Sequence, residues 1–256
     1  MNFQQRIKQK KGKGKIIMLT AYDCQTARIL DQTGIDLILV GDSSGMVVQG
    51  YKDTKSVTMA DMIYHVKAVA RGATSTPIIG DMPINSCSTV EDCLRNAEQF
   101  LEAGAHGVKI EGKKTDAIRA LTNRGIPVMG HVGMLPQMAE AYRVKGKKPE
   151  EAQQILQDAQ ELDGLGVFSI VLECIPESLA KTITKSVKVP TIGIGAGKHC
   201  DGQVLVVNDL LGFDENFKPK YVKTYANLNK TIKDAVAKFV EEVSTDKYPD
   251  EEHTYH

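Results

Sequence analysis

Short apolar runs recur along the chain, at residues 16–19, 37–40, 77–80, 107–110, 127–130, 168–172, 191–194 and 204–207. Each has the length and the turn-forming flanks of a buried strand. Helix-length stretches lie between them. After Thr58, a capping residue, Met59, Met62, Ile63, Val66, Val69 and Ala70 fall at three- and four-residue spacing, which predicts an amphipathic helix. Further helices are expected at about 89–103, with Gly104 as stop signal, and at about 150–165, 176–187 and 229–244, before a polar tail at 248–256. Strand and helix alternating through the whole length predict a parallel sheet with helical crossovers. Eight strands in 256 residues predict one (β/α)8 barrel, a single domain over 1–256. Two long connections, 41–56 and 131–149, stand out, because long loops in such folds are usually functional.

Several runs end in a residue capable of chemistry: Asp42, Asp81, Glu111, His131 and Glu173. A closed barrel gathers the C-terminal ends of its strands on one rim, so these residues converge despite their separation in sequence. Asp42-Ser43-Ser44-Gly45 reads as a turn or as a ligand loop. Three acids at successive strand ends repel one another unless a cation sits among them. Oxygen donors select Mg²⁺ over zinc, and that ion takes one or two carboxylates directly, so one of Asp42, Asp81 and Glu111 is expected to act through water. The plainer reading is an ion-pair network with Lys109, Lys113 or Lys114. Lys109, two residues before Glu111, points to the same side of the strand, where it suits an anionic substrate. His131 reads as a substrate contact or as a partner for a neighbouring turn. Glu173 lies across the rim among apolar neighbours, which suit a carboxyl group to proton transfer. A metal plus a carboxylate supports removal of a proton next to a carbonyl.

Composition changes little in this picture. Apolar residues make up 42% of the chain, charged residues 25%, and the formal net charge is zero, which gives no overall attraction to nucleic acid. No apolar stretch approaches the ~20 residues of a membrane span, and the N-terminus reads as no signal peptide. Cys24, Cys87, Cys93, Cys174 and Cys200 are scattered and are expected to be free thiols in a cytoplasmic protein. Arg6, Lys8, Lys10, Lys11, Lys13 and Lys15 read as a solvated basic lead-in to the first strand.

The motifs Met18-Leu19-Thr20-Ala21-Tyr22-Asp23, Val40-Gly41-Asp42-Ser43, Lys109-Ile110-Glu111-Gly112, Gly130-His131-Val132-Gly133, Leu172-Glu173-Cys174-Ile175-Pro176 and Asp201-Gly202-Gln203-Val204, in this order, resemble those of the ketopantoate hydroxymethyltransferases. The resemblance implies transfer of a one-carbon unit from 5,10-methylenetetrahydrofolate to 3-methyl-2-oxobutanoate through a Mg²⁺-stabilised enolate, giving 2-dehydropantoate for pantothenate biosynthesis. It implies one Mg²⁺ per subunit on Asp42 and Asp81, with Glu111 direct or through water. Ser43 and Lys109 would hold the keto acid's carboxylate, with His131 lining the pocket and Glu173 as the proton acceptor. It further implies a homo-oligomer, a homodecamer in the family. The segment between Gln137 and Val144 is shorter than in many relatives. The alternative is another Mg²⁺-dependent 2-oxo acid enzyme, of the phosphoenolpyruvate mutase and isocitrate lyase type.

Overall fold

The computed structural model describes residues 1–215 and 219–256, in two compact units, Met1–Val206 and Val207–His256. The first unit is a closed barrel of eight parallel strands paired in sequence order: β1 (Ile16–Thr20), β2 (Leu37–Val40), β3 (Ile78–Asp81), β4 (Gly107–Glu111), β5 (Val128–Gly133), β6 (Ser169–Glu173), β7 (Thr191–Ile194) and β8 (Gly202–Leu205). Alternate side chains enter two cores. Met18, Leu39, Ile79, Met129, Val171 and Ile192 fill the barrel interior, while Ile38, Val40, Val108, Ile170 and Leu172 face the helix layer. A strand buried on both faces must be apolar at nearly every position, which is why these runs are continuous rather than alternating.

The helices follow their local signals. In α4 (Met59–Gly72) Thr58 and Asp61 form a reciprocal cap, and Thr89 caps α5 (Val90–Glu102). α7 (Pro149–Gly164) opens on a proline, and α8 (Glu177–Ser186) follows one at Pro176. Three helices lie where the apolar pattern singles out none: α2 (Cys24–Asp31), capped by Asp23, the four-residue α3 (Ser44–Val47) inside the long 41–56 connection, and α6 (Thr115–Asn123).

The sequence places the eighth strand two residues too late. Gly202 pairs with Ile16 to close the barrel, and a Cβ there would stand 2.5 Å from the Ile16 carbonyl oxygen. Closure therefore requires a glycine at a position that an apolar run does not include.

The N-terminus also departs from expectation. Arg6, Lys8, Lys13 and Lys15 are exposed as a solvated stretch requires, but the segment is not a bare lead-in: it begins as α1 (Phe3–Gln9), capped by Asn2 and Gln5. Ile7 is buried with the interior core, and the Phe3 ring meets Phe168 edge-on at 5.4 Å between centroids. The lysines that follow are tied down, Lys10 to Asp36 at 2.5 Å and Lys11 to Asp201 at 2.9 Å.

A second correction concerns the cysteines. Cys87 and Cys93 form a disulfide, with Cα atoms 4.1 Å apart, because the turn capped by Thr89 folds the loop after β3 back onto α5; Cys24, Cys174 and Cys200 are free.

The second unit holds α9 (Val207–Leu211), α10 (Leu228–Ser244) and a 3-10 turn, Glu251–His253. Asn227 caps α10, and the backbone around Phe213 folds back on Asn229. No helix among the described residues is long and apolar enough to cross a membrane.

Candidate active site

Parallel register sets the site. Asp81 is paired with Lys109, Glu111 with His131, and Gly133 with Glu173, so the ends of β3 to β6 place these polar residues side by side. Lys109 and Glu111, two apart on β4, share the inner face, as their spacing predicts. Gly133 lets β5 and β6 close here. Its φ is 102°, a Cβ on it would stand 2.3 Å from the Glu173 carbonyl oxygen, and the next amide, Met134 N–H, donates to that oxygen at 2.9 Å.

Asp42, Asp81, Lys109, Glu111 and His131 are all at most 5% exposed. Lys109 Nζ donates to both carboxylate oxygens of Asp81 at 2.7 Å and lies 3.7 Å from Glu111. The Asp42 backbone N–H donates to Asp81 Oδ2 at 3.4 Å. His131 stands between two acids, Nδ1 3.6 Å from Glu111 and Nε2 3.2 Å from Glu173. Neither ring nitrogen has full hydrogen-bond geometry, so these are ion-pair contacts. The Glu173 carboxylate thus meets a histidine, a charged neighbour that the apolar run around it does not predict. Ser43 is half-buried, and its hydroxyl lies 2.8 Å from the Tyr22 hydroxyl. Lys113 and Lys114 turn away, to Glu161 and Asp158 and to the Cys87 carbonyl. Of the three lysines considered, only Lys109 joins the acid cluster.

The electrostatics follow from burial and crowding. Burial raises the pKa of Asp42 well above the usual carboxylate value, and the charges of Asp81 and Glu111 raise it further against Lys109 and Gln137. Burial also raises Asp81, partly offset by Lys109. Burial opposes ionisation of Glu111, but His131, Lys109 and the Gln137 amide outweigh it and lower its pKa. For Lys109, burial is overcome by Asp81, Glu111 and Asp42, which hold it charged. For His131, burial and Lys109 act downward, yet Glu111 and Glu173 bring it up to about 9.

Two polar residues were not read from the sequence as part of the site. Gln137 is 6% exposed and bonds Asp42, Met82 and Glu111. Its only sequence signal is a lone amide among Met134, Leu135, Pro136 and Met138 in a rim loop. Tyr22, 4% exposed, supports Ser43 from the end of β1.

The donor set suits a hard divalent cation. Three buried carboxylates face two cationic side chains, and the pKa of Asp42 is raised first by burial and then by the neighbouring charges of Asp81 and Glu111. Among the described residues no group of three or more His, Cys, Asp or Glu side chains is arranged to hold a metal ion. An ion that takes one or two carboxylates and fills its shell with water and substrate oxygens does not need such a group.

Fold and site together define the class, a (β/α)8 barrel whose C-terminal rim, where enzymes of this fold hold their active sites, gathers carboxylates, a lysine and a histidine. The model of the family described as ketopantoate hydroxymethyltransferase matches residues 1–251, and the chain belongs to that family, whose reaction lies in pantothenate biosynthesis. It is similar to 3-methyl-2-oxobutanoate hydroxymethyltransferase of Clostridium botulinum (strain 657 / Type Ba4), 51% identical over 94% of this chain and 90% of the relative. The enzyme of that name from Syntrophus aciditrophicus is 50% identical over 96% of this chain and 93% of the relative. Among solved structures, a phosphonopyruvate hydrolase in complex with oxalate and Mg²⁺ aligns with TM-score 0.65 over 99% of this chain and 93% of its own, at 15% identity. A 2,3-dimethylmalate lyase of the phosphoenolpyruvate mutase and isocitrate lyase superfamily aligns with TM-score 0.61 over 99% and 92%, at 16% identity. At such identities these two share the fold; the family assignment rests on the half-identical relatives and the family model.

Proposed function

We propose that this enzyme transfers the one-carbon unit of 5,10-methylenetetrahydrofolate to C3 of 3-methyl-2-oxobutanoate, giving 2-dehydropantoate, with Glu173 as the base. The observation that carries this reading is the pairing of His131 Nε2 with the Glu173 carboxylate at 3.2 Å, beside the buried Asp42, Asp81 and Lys109 cluster. Lys109 and Ser43 bind the keto acid's carboxylate. Asp42 and Asp81, with Glu111 direct or through water, would hold a Mg²⁺ ion, whose Lewis acidity would act on the 2-oxo group. Glu173 takes the C3 proton, and His131 orients its carboxylate. The C3 carbanion forms a bond to the folate's methylene carbon as a carbon–nitrogen bond to that carbon breaks. Water oxygen then takes the place of the second carbon–nitrogen bond at that carbon, the two nitrogens end protonated, and tetrahydrofolate leaves. Tyr142, whose pKa burial and the charges of Glu173 and Asp42 push up to about 12, stays a neutral phenol at the mouth. The same reading takes the enzyme as cytoplasmic and as a homo-oligomer, which sedimentation tests directly.

The decisive experiment is paired. Purified enzyme with Mg²⁺ should exchange the C3 proton of 3-methyl-2-oxobutanoate in D₂O, and Glu173→Gln should slow exchange ~10²- to 10⁴-fold while still binding the keto acid. Exchange at the wild-type rate in the variant would falsify the assignment of the base. Adding methylenetetrahydrofolate to the wild-type enzyme should yield 2-dehydropantoate; exchange without product removes the donor and leaves the keto acid site.

A further inference from the structure

Gln137 joins four strand-end segments through one residue. It sits on the loop after β5. Its side-chain Nε2 donates at 2.9 Å to Asp42 Oδ2, just beyond β2, and at 2.9 Å to the Met82 carbonyl, just beyond β3. Its backbone N–H donates at 3.2 Å to Glu111 Oε2 at the end of β4. A carboxamide nitrogen carries two hydrogens, and here each has its own acceptor, so the amide has little freedom to turn. The residue is 6% exposed, and breaking these bonds would leave buried acceptors without their donor.

The chemistry of the group matters as much as its reach. A lysine or arginine here would neutralise Asp42 and remove the charge that attracts a cation. An amide fixes the plane of the carboxylate through Oδ2 and leaves its negative charge in place. Outer partners of this kind orient ligating carboxylates, and their loss costs ~10- to 100-fold in metal affinity.

Resting on the functional reading above, we propose that Gln137 is a positioning residue of the metal site: it sets the Asp42 carboxylate so that Oδ1 meets the divalent ion, and it holds Glu111 in step with Asp42 across the rim. It makes no contact with the reacting carbon.

Gln137→Met tests this, because methionine keeps the length of the side chain and removes both donors. Mn²⁺ titration of the full-length enzyme, read by the electron paramagnetic resonance of the free ion, should show Kd raised ~10- to 100-fold. The KM for 3-methyl-2-oxobutanoate should rise with it, while kcat at saturating Mn²⁺ and keto acid falls no more than about threefold, the signature of lost binding rather than lost chemistry. A purely structural role would lower Tm and leave Mn²⁺ affinity unchanged, and a Kd within about twofold of wild type overturns the proposal. Should the variant not fold, crystals of the wild-type enzyme with Mn²⁺ give the answer. Asp42 on the ion through Oδ1 with Oδ2 still on Gln137 supports the proposal; Asp42 turned away from Gln137 overturns it. Wild-type enzyme that binds no divalent ion removes the functional reading and this inference together, whereas tight wild-type binding with an unaffected variant removes this inference alone.

Discussion

The barrel carries lysines and acids at both ends and treats them in opposite ways. At the N-terminal end, Lys10 and Lys11 meet Asp36 and Asp201 one to one, and Lys15 Nζ donates to the Cys200 carbonyl, above a floor of Ile7, Phe3 and Phe168. At the C-terminal end, Asp42, Asp81 and Glu111 share Lys109 and His131, with Glu173 beyond the histidine, and the five innermost groups are buried. Matched charges over an apolar floor stabilise the fold. Buried carboxylates in excess destabilise it and are worth their cost only where a ligand completes them. The two ends should therefore answer to mutation in different assays.

The largest separation is expected at Lys109. Lys109→Met removes the cation on Asp81 and the proposed anchor of the keto acid's carboxylate, so kcat/KM for 3-methyl-2-oxobutanoate should fall ~10²- to 10³-fold, most of it in KM. Steady-state kinetics at saturating Mg²⁺ measure it, and activity within a few fold of wild type would mean that the rim cluster is a structural ion-pair network.

Ile7→Ala should do the reverse. Ile7 is 3% exposed in the interior core, and truncating it costs about 2–5 kcal/mol. Denaturant unfolding should show that loss while kcat/KM at 25 °C stays at the wild-type value. A comparable fall in kcat/KM would show that the floor and the rim are coupled.

A third contrast lies in pH. In the fold the pKa of His131 rises from 6.5 to about 9, so the imidazolium contributes stability that is complete below about pH 6.5 and is lost as pH climbs through about 9. Asp42 is raised as well, and its ionisation also weakens the fold as pH rises. Tm of enzyme stripped of metal with a chelator should thus fall between pH 6.5 and 9, and added Mg²⁺ should flatten the profile. Ile7→Ala should lower the whole curve without changing its slope. A metal-free Tm that rises over this window contradicts the placement of His131 between two acids.

How much of this was legible beforehand follows the same division. Strands buried on both faces read as continuous apolar runs, and Asp42, Asp81, Glu111, His131 and Glu173 were visible because each interrupts or ends such a run. The floor was hidden because its two anchors, Phe3 and Ile7, sit in a segment dominated by lysine and glutamine, where two apolar residues make no period. β8 was displaced because Gly202 is required by backbone contact with Ile16, not by hydrophobicity. The Cys87 and Cys93 pairing depends on how a loop folds back, and six-residue spacing alone does not encode it. Gln137 escaped because a loop amide has no periodicity and gains meaning only when four strand ends meet.

The smallest effect belongs to Lys10, and it tests the contrast from the side of charge alone. Its ammonium meets Asp36 Oδ1 at 2.5 Å, but the two side chains are 38% and 17% exposed, so solvent screens the pair and holding a long side chain in place offsets much of the attraction. Asp36 also keeps a second partner, the Ile17 N–H on Oδ2 at 2.8 Å. Lys10→Ala should therefore cost less than ~1 kcal/mol, and added salt should shrink even that. The same charge removed at Lys109 leaves Asp81 and Glu111 buried without it. Unfolding of both variants at low and high salt compares the two losses: a salt-sensitive, marginal one at Lys10 against a salt-insensitive, severalfold larger one at Lys109. Equal losses with equal salt dependence would mean that burial does not distinguish the two ends, and the rim would lose its standing as the place where charge is held for a ligand.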